Sequence, residues 1–482
     1  MSLNRKTVVL FWVLLLFFTT VILFYNNNMF LILGFMMLVI YSLGCLIFNP
    51  LQLFIFCSML VMTTSIRIYK DGVMGYIGGI GAASGYFGTP HLVLLIGIIS
   101  FCFFSIKHKS IKSITFNKID IAVLVFLIFI FLSSFTAPYK EASNTQLNFY
   151  VTLTINMFLW RMAFKNINKK EKILIYGLIV SLLLQFSISI LQIITNSSIG
   201  LSFLGEGTVA RRQGVPIPSI TGTIGHPGPL SLYTLFILNI LFPYILMKRN
   251  HIVTFGFTIG LIMLILTFSR TSLILLFISL FIQILFIYRS KFKNISKFKV
   301  VLLIIGSGLV IIFFGNLVID RFVNLFNADT DNQFNNRFTH LLIAIEYIKE
   351  HPYVGYGLNN WSYIVSINDP RVAEIVGYRN EFFFNNPVHN IYALYFFEGG
   401  IFLLISFIVL IFLLLKNLYK LINDKLIVLG LFGCIFSMTL YNFTGWGLLN
   451  GGQVISLLFL VTSFTSSILD QINTKVGETF ES

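Results

Sequence analysis

Charge is what this 482-residue chain has least of: Asp, Glu, Lys and Arg together make up 11%, against roughly a quarter in ordinary soluble domains. With 57% hydrophobic residues and a mean hydropathy of +0.88, that scarcity excludes a soluble globular enzyme and a nucleic-acid-binding protein alike. Cysteine is also scarce. Cys45, Cys57, Cys102 and Cys434 lie singly inside apolar runs with no ligand spacing, so neither a disulfide framework nor a zinc site is expected. The acidic residues, 18 in all, form no cluster of the kind that holds a divalent ion, and no phosphate loop or dinucleotide fingerprint occurs. The expectation is chemistry without metal or cofactor.

What the chain does have is apolar length. Runs near 8–25, 29–48, 51–66, 91–106, 119–136, 147–164, 173–195, 228–247, 252–268, 270–288, 299–319, 390–415, 426–441 and 452–469 suit membrane helices of about 20 residues each. A helix satisfies every backbone group within one segment, whereas barrel strands are shorter and alternate. The fold class expected is all-α, a polytopic membrane protein with about 12–14 transmembrane helices and one large extracytoplasmic loop containing short helices. The lower figure applies if 51–66, 91–106 and 426–441 are tilted or re-entrant. Arg5 and Lys6 precede the first run in the manner of a signal peptide, but no small-residue cleavage site follows, so an uncleaved span is expected. The glycine-rich stretch 72–88 reads as a tightly packed or re-entrant segment rather than a phosphate loop.

The net charge of +15 is dispersed over the connections. With the amino terminus cytoplasmic, 22 of the 33 basic residues (18 Lys and 4 Arg) share that side with both termini, as the positive-inside rule requires. The other eleven are Arg67, Lys70, Lys140, Arg211, Arg212, Arg270, Arg321, Arg337, Lys349, Arg371 and Arg379, so arginine dominates the outer side. A guanidinium binds two phosphate oxygens at once and stays charged when desolvated. A phosphorylated anion is therefore expected there. The plainer reading pairs these arginines with outer acids such as Asp320, Asp329, Asp331, Glu346, Glu350, Asp369 and Glu374.

The outer segment 320–389 is too long for a simple connection. Within it, residues 337–350 (RFTHLLIAIEYIKE) place Phe338, Leu341, Leu342, Ile345 and Ile348 at intervals of three and four, predicting a short amphipathic helix on the membrane surface. Arg337, His340, Ala344 and Glu346 fall away from that stripe, which leaves Arg337 facing a ligand. Pro352 stops the helix, and Gly355 and Gly357 permit a tight turn. His389 and Asn390 stand at the mouth of the next span, where an imidazole can take a proton from a sugar hydroxyl. Arg211 and Arg212 precede a glycine-rich turn suited to phosphate. Arg270 interrupts two apolar runs with almost no loop, and a charge so close to the bilayer needs a partner. Glu398, inside its span, needs protonation or a partner as well. His91 and His226 lie near outer ends of spans, and His108 and His251 on the lysine-rich side.

The order of these features resembles the O-antigen ligase and O-antigen polymerase family of bacterial envelope proteins. The residues that carry the resemblance are Arg212 ahead of Gly222–Gly225, Ser269–Arg270, Asn336–Arg337, Ala344, His351–Pro352, Gly355, Gly357, His389–Asn390 and Glu398–Gly399. It covers roughly 205–415 and divides the chain into helices at 1–204, a ligase- or polymerase-like core at 205–415, and helices with a tail at 416–482. The HPG at 226–228 departs from the Pro-Asn pair that members often have there. The resemblance implies an enzyme in the inner or plasma membrane that uses a polyprenyl-diphosphate-linked oligosaccharide on the outer face. His389 would be catalytic, Arg211, Arg212, Arg270 and Arg337 would bind diphosphate, and Asn390 and Glu398 would support them. The donor, a glycan acceptor and membrane lipids are the expected partners, with a flippase and chain-length regulators beside them and no nucleic acid. Polymerisation of repeat units into a capsular, exopolysaccharide or O-antigen chain is the leading expectation. The alternatives are a ligase moving a finished glycan to lipid A core, a wall polymer or protein, and, in another class, a transporter or flippase of lipid-linked glycan.

Overall fold

The computed structural model describes residues 29–68, 87–107, 114–209, 217–247, 250–289, 332–365, 369–376, 387–423, 425–445, 447–449 and 452–481. Long helices dominate: α1 (Met29–Ile47), α2 (Pro50–Val61), α3 (Thr89–Lys107), α4 (Lys118–Thr136), α5 (Lys140–Asn166), α6 (Lys170–Thr195), α7 (Pro227–Met247), α8 (His251–Leu266) and α9 (Arg270–Arg289) come first. The segment predicted as a large loop follows with α10 (Asn332–Glu350), α11 (Trp361–Ile364) and α12 (Pro370–Val376), and the chain returns through α13 (Ile391–Leu421), α14 (Leu426–Tyr441) and α15 (Gln453–Glu481). Among the described residues the fold is all-α, with one two-residue antiparallel ladder, β1 (Arg67–Ile68) with β2 (Phe87–Gly88). Twelve of the predicted apolar runs are helices; 8–25 and 299–319, with most of the glycine-rich stretch, lie outside the described residues. Among the described residues, seven helices are long and apolar enough to cross a membrane, accompanied by four shorter apolar ones.

Local sequence explains where helices begin. Asn117 accepts from the backbone of Ile119 and Asp120 while Asp120 reaches back to the Asn117 N–H, a reciprocal cap that satisfies donors otherwise orphaned in lipid. Asn49 and Asn250 cap α2 and α8. At the end of α1, the Lys107 ammonium donates to the carbonyls of Cys45, Leu46 and Phe48, the favourable place for a cation on a helix dipole.

The bundle centre is α7, buried along nearly its whole length, with α14 and much of α15 against it. In lipid there is no hydrophobic drive between helices, so close backbone approach and polar contacts hold them. Gln283 of α9 donates to Asn239 of α7, which donates to Ser437 of α14. Gly433 makes room for that cluster, since a Cβ there would lie 2.1 Å from the Gln283 amide. Large apolar side chains such as Ile121, Phe281 and Phe412 face outward, as a lipid-facing surface should.

The two ends of the bundle differ. At the end carrying the starts of α4 and α6, Arg161 is fully buried and donates to both oxygens of Asp470 (3.0 and 2.7 Å), to the Thr115 carbonyl and to Asp120. Arg161 had been counted among basic residues of the connections; it is instead a buried clamp joining α4, α5 and α15. Lys170 beside it is also buried and donates to Ser467.

At the opposite end lies α10, starting five residues ahead of the predicted Arg337. Its facing meets the expectation only in part. Arg337 is exposed and Ile348 buried as expected, but His340 and Ala344 are buried, and Phe338, Leu342 and Ile345 of the predicted apolar stripe are exposed. A membrane-embedded protein can turn its greasiest stripe outward, because lipid solvates it, and reserve the inward face for small and polar groups. Beyond Pro352, the glycine turn docks on a break in α13: Gly400 has φ +67°, Tyr356 and Gly357 donate to the carbonyls of Phe397 and Glu398, and Ile401 donates to Pro352. A Cβ at Gly355 would lie 2.5 Å from the Glu398 backbone, so glycine is required for this approach.

Candidate functional site

Three helices begin side by side at the α10 end. Asn390 caps α13 by accepting from Ala393 and also donates to the Phe443 carbonyl, while Ile391 donates to the Asn442 carbonyl. Those bonds fasten the start of α13, and with it His389, to the end of α14. The α7 helix opens on His226-Pro-Gly-Pro, with proline in the first turn where its missing N–H costs nothing. One turn on, Ser231 is bonded to Ser272 at 2.7 Å, and Ser269 donates to Ser272 at 3.1 Å. This serine chain fastens the start of α7 to the start of α9, whose first residue is Arg270. The α8–α9 turn passes through Phe268 at φ +53°, a conformation rare outside glycine and held here by the surrounding packing. Helix starts carry partial positive charge, so their convergence favours an anion at this mouth.

The imidazoles gather there. His389 Nδ1 and His340 Nδ1 are 3.3 Å apart. The two ring planes lie within 11° of each other and the centroids are 5.3 Å apart, so the rings meet edge to edge, the geometry an N–H···N bond requires. His340 is fully buried, with Trp361 edge-on beneath it and Trp361 packed on Phe397. His226 is held by its own turn, its Nδ1 accepting from Gly228 at 3.1 Å. A Cβ added at Gly228 would lie within 3.4 Å of both His226 Nδ1 and the Tyr441 hydroxyl, which places Tyr441 at the same mouth. Burial, then His340, Arg337 and His226 in that order, push the His389 imidazolium pKa down to about 3. His389 is therefore neutral at working pH.

Arg337 is exposed and acts electrostatically on both His389 and Tyr441. Among the described residues no carboxylate pairs with it. Arg371 is the opposite case. It binds Asp369 and Glu350, and its guanidinium lies 4.2 Å from the Tyr347 ring centroid. Together with the Tyr347 hydroxyl, it holds the Asp369 carboxyl down to about 2. For that arginine the plainer sequence reading applies.

The predicted site residues are thus distributed as follows. His389 and Arg337 are brought together. Arg270 starts the helix tied to α7, with its Nη1 shielded from solvent. Asn390 is the α13 cap. Glu398 is buried in α13, where its Oε1 accepts from the Asn359 N–H at 3.0 Å and its carbonyl accepts from Ser133. It supports the turn that seats α11. Arg211 and Arg212 lie outside the described residues. Sequence reasoning passed over the pairing of His340, the part of His226 and Tyr441 altogether. For His340 the signal was its position three residues after Arg337, which puts both on one helical face; for His226 it was a histidine flanking the proline that starts a helix.

These side chains offer a neutral imidazole, His389, beside an exposed guanidinium and helix starts, an arrangement suited to proton transfer near a bound anion. Among the described residues, no three His, Cys, Asp or Glu side chains group as a metal site. No curated protein matches the chain. Residues 255–408 match the family model described as O-antigen ligase. That stretch runs from α8 into α13 and includes Arg270, Arg337, His340, His389 and Glu398, so the similarity to that family falls on the residues of this mouth.

Proposed function

We propose that the protein transfers a glycan from a polyprenyl-diphosphate carrier to an acceptor hydroxyl at the outer face of the bacterial inner or plasma membrane, joining repeat units into a surface polysaccharide. The observation that carries this is the pairing of His389 and His340 beside Arg337 at a mouth made of three helix starts. In this reading His389 keeps its proton on Nδ1, toward His340, and presents Nε2 to the acceptor. The acceptor oxygen forms the bond to the anomeric carbon as its proton passes to Nε2. The anomeric bond to the diphosphate breaks, its electron pair leaves with polyprenyl diphosphate, and the anomeric centre inverts. Arg337 and Arg270, with Arg211 and Arg212, neutralise the charge growing on the leaving group, the kind of preorganised stabilisation that usually dominates such a step. A bound diphosphate also offsets the field of Arg337 on His389 and so strengthens the base when the donor is in place. Neither metal nor nucleotide is consumed, because the donor arrives activated.

The test is direct. Purified protein in detergent, given a polyprenyl-diphosphate oligosaccharide, should release polyprenyl diphosphate and form a longer lipid-linked glycan without added metal. Movement of intact donor across a bilayer with no new glycosidic bond would replace this reading with transport. In a deletion strain, accumulation of single lipid-linked units marks a polymerase, and accumulation of full-length chains marks a ligase.

A further inference from the structure

A lipid-facing cleft lies between α4 and α13. Its volume is about 430 Å³. The floor is formed by small buried residues, Ala122 and Ser406, and the walls by exposed apolar ones, Ile121 and Val125 on α4 and Ile405 and Val409 on α13. Toward mid-membrane it is closed by Phe129 stacked on Phe402, with centroids 5.8 Å apart. At the other end it opens beside Lys118, the exposed first residue of α4. Eleven residues separate Lys118 from Phe129, about 16 Å along a helix, or about half of the roughly 30 Å hydrocarbon core. The cleft therefore has the depth of a single leaflet.

Charge completes the pattern. On α13 the stripe Phe402, Ile405, Val409 and Leu413 continues, at helical spacing, to Lys416, whose ammonium lies 5.7 Å from the Phe412 ring. Lys118 thus lines the mouth of the apolar slot, and Lys416 lies one turn beyond its α13 wall. We propose that this cleft binds one anionic phospholipid from the leaflet opposite the histidine site, an acyl chain in the slot and the phosphate between Lys118 and Lys416. The tail of a donor bound at His389 enters from the other end of the bundle, and the Phe129–Phe402 pair separates the two. The lipid would wedge apart two helices that meet again near the site, where Ser133 of α4 donates to the Glu398 carbonyl of α13.

The experiment is native mass spectrometry of the full chain in detergent, titrated with phosphatidylglycerol and, separately, phosphatidylcholine of matched acyl chains. Wild type should retain one phosphatidylglycerol with a preference of roughly thirtyfold, the effect expected of two surface lysines on an anionic headgroup. The Lys118→Gln, Lys416→Gln double variant should lose the preference, and Ser406→Phe, which fills the floor, should lose retention of both lipids. Equal retention by wild type, an unchanged preference in the double variant, unchanged retention in Ser406→Phe, or a polyprenyl lipid held in place of phosphatidylglycerol would each overturn the proposal. None of these residues belongs to the glycan-transfer site, so this result and the transfer assay fail independently.

Discussion

Arg161 and Arg337 sit at opposite ends of one bundle and do opposite things with the same guanidinium. Arg161 has no exposure and spends its donors on Asp120, Asp470 and the Thr115 carbonyl. Its charge is cancelled inside the protein, and what remains is a three-helix clamp. Arg337 is exposed beside three histidines, and among the described residues no carboxylate cancels it. A charge already paired holds structure together, whereas an exposed charge beside the neutral His389 is free to meet an anion. Arg371, bound to Asp369 and Glu350, belongs with Arg161 although it lies at the Arg337 end. Neighbours, rather than side of the membrane, separate the two kinds.

This contrast breaks first at His389. His389→Ala should lower transfer by about 10²–10⁴-fold, the usual worth of a positioned base, with membrane insertion and yield unchanged; wild-type turnover would remove the assigned base. Arg161→Ala should do the reverse. Leaving Asp120 and Asp470 buried without their cation costs about 3–5 kcal/mol, visible as loss of monodisperse protein and a lower melting temperature in detergent before any donor is added. Arg337→Ala should leave melting unaltered and reduce donor kcat/KM by about 10- to 150-fold, taking about 1.5–3 kcal/mol for a hydrogen bond to a charged group. Arg270→Lys should recover little if two-point phosphate binding matters. If Arg337→Ala unfolds the protein instead, the distinction between the two arginines collapses.

Acidification sharpens the comparison further. With the His389 pKa held near 3 in the folded protein and near 6.5 unfolded, the unfolded chain takes up a proton that the native site refuses. Stability from this residue is therefore complete above about pH 6.5 and falls as the pH drops toward 3. Relative to His389→Gln, whose residue does not titrate, the wild-type melting temperature should fall as the pH drops from about 6.5 toward 3 if this sign is right. For the same reason kcat/KM should show no acid limb from free His389 between about pH 5 and 8. The smallest effect is expected at Glu398→Gln. The amide oxygen can still accept from Asn359, so transfer should change by less than about threefold, within the range of one neutral hydrogen bond. A complete loss there would give Glu398 a part in the chemistry.

Much of this was legible before folding. The membrane helices follow from hydropathy alone, since each span must close its own backbone hydrogen bonds whatever its neighbours. The helix over 337–350 and its stop at Pro352 are local chemistry too, although its first turn from Asn332 and the asparagine caps of the other helices were not read from the sequence. The placement of Arg337 near His389 was suggested by motif order along the chain. The facing of α10 was not legible. An amphipathic pattern reports only that a helix has two faces, and in a protein surrounded by lipid either one can turn inward.

The sequence by itself determined the class of the protein, the helices, the scarcity of charge and the resemblance of residues 255–408 to the O-antigen ligase family, because each depends on residues near one another along the chain. Only the tertiary structure decided which charges are spent and which are available. His340 meets His389 across 49 residues and Arg161 meets Asp470 across 309. Electrostatic pairing acts over a few ångströms in space, and distance along the chain carries no record of which helix ends come together.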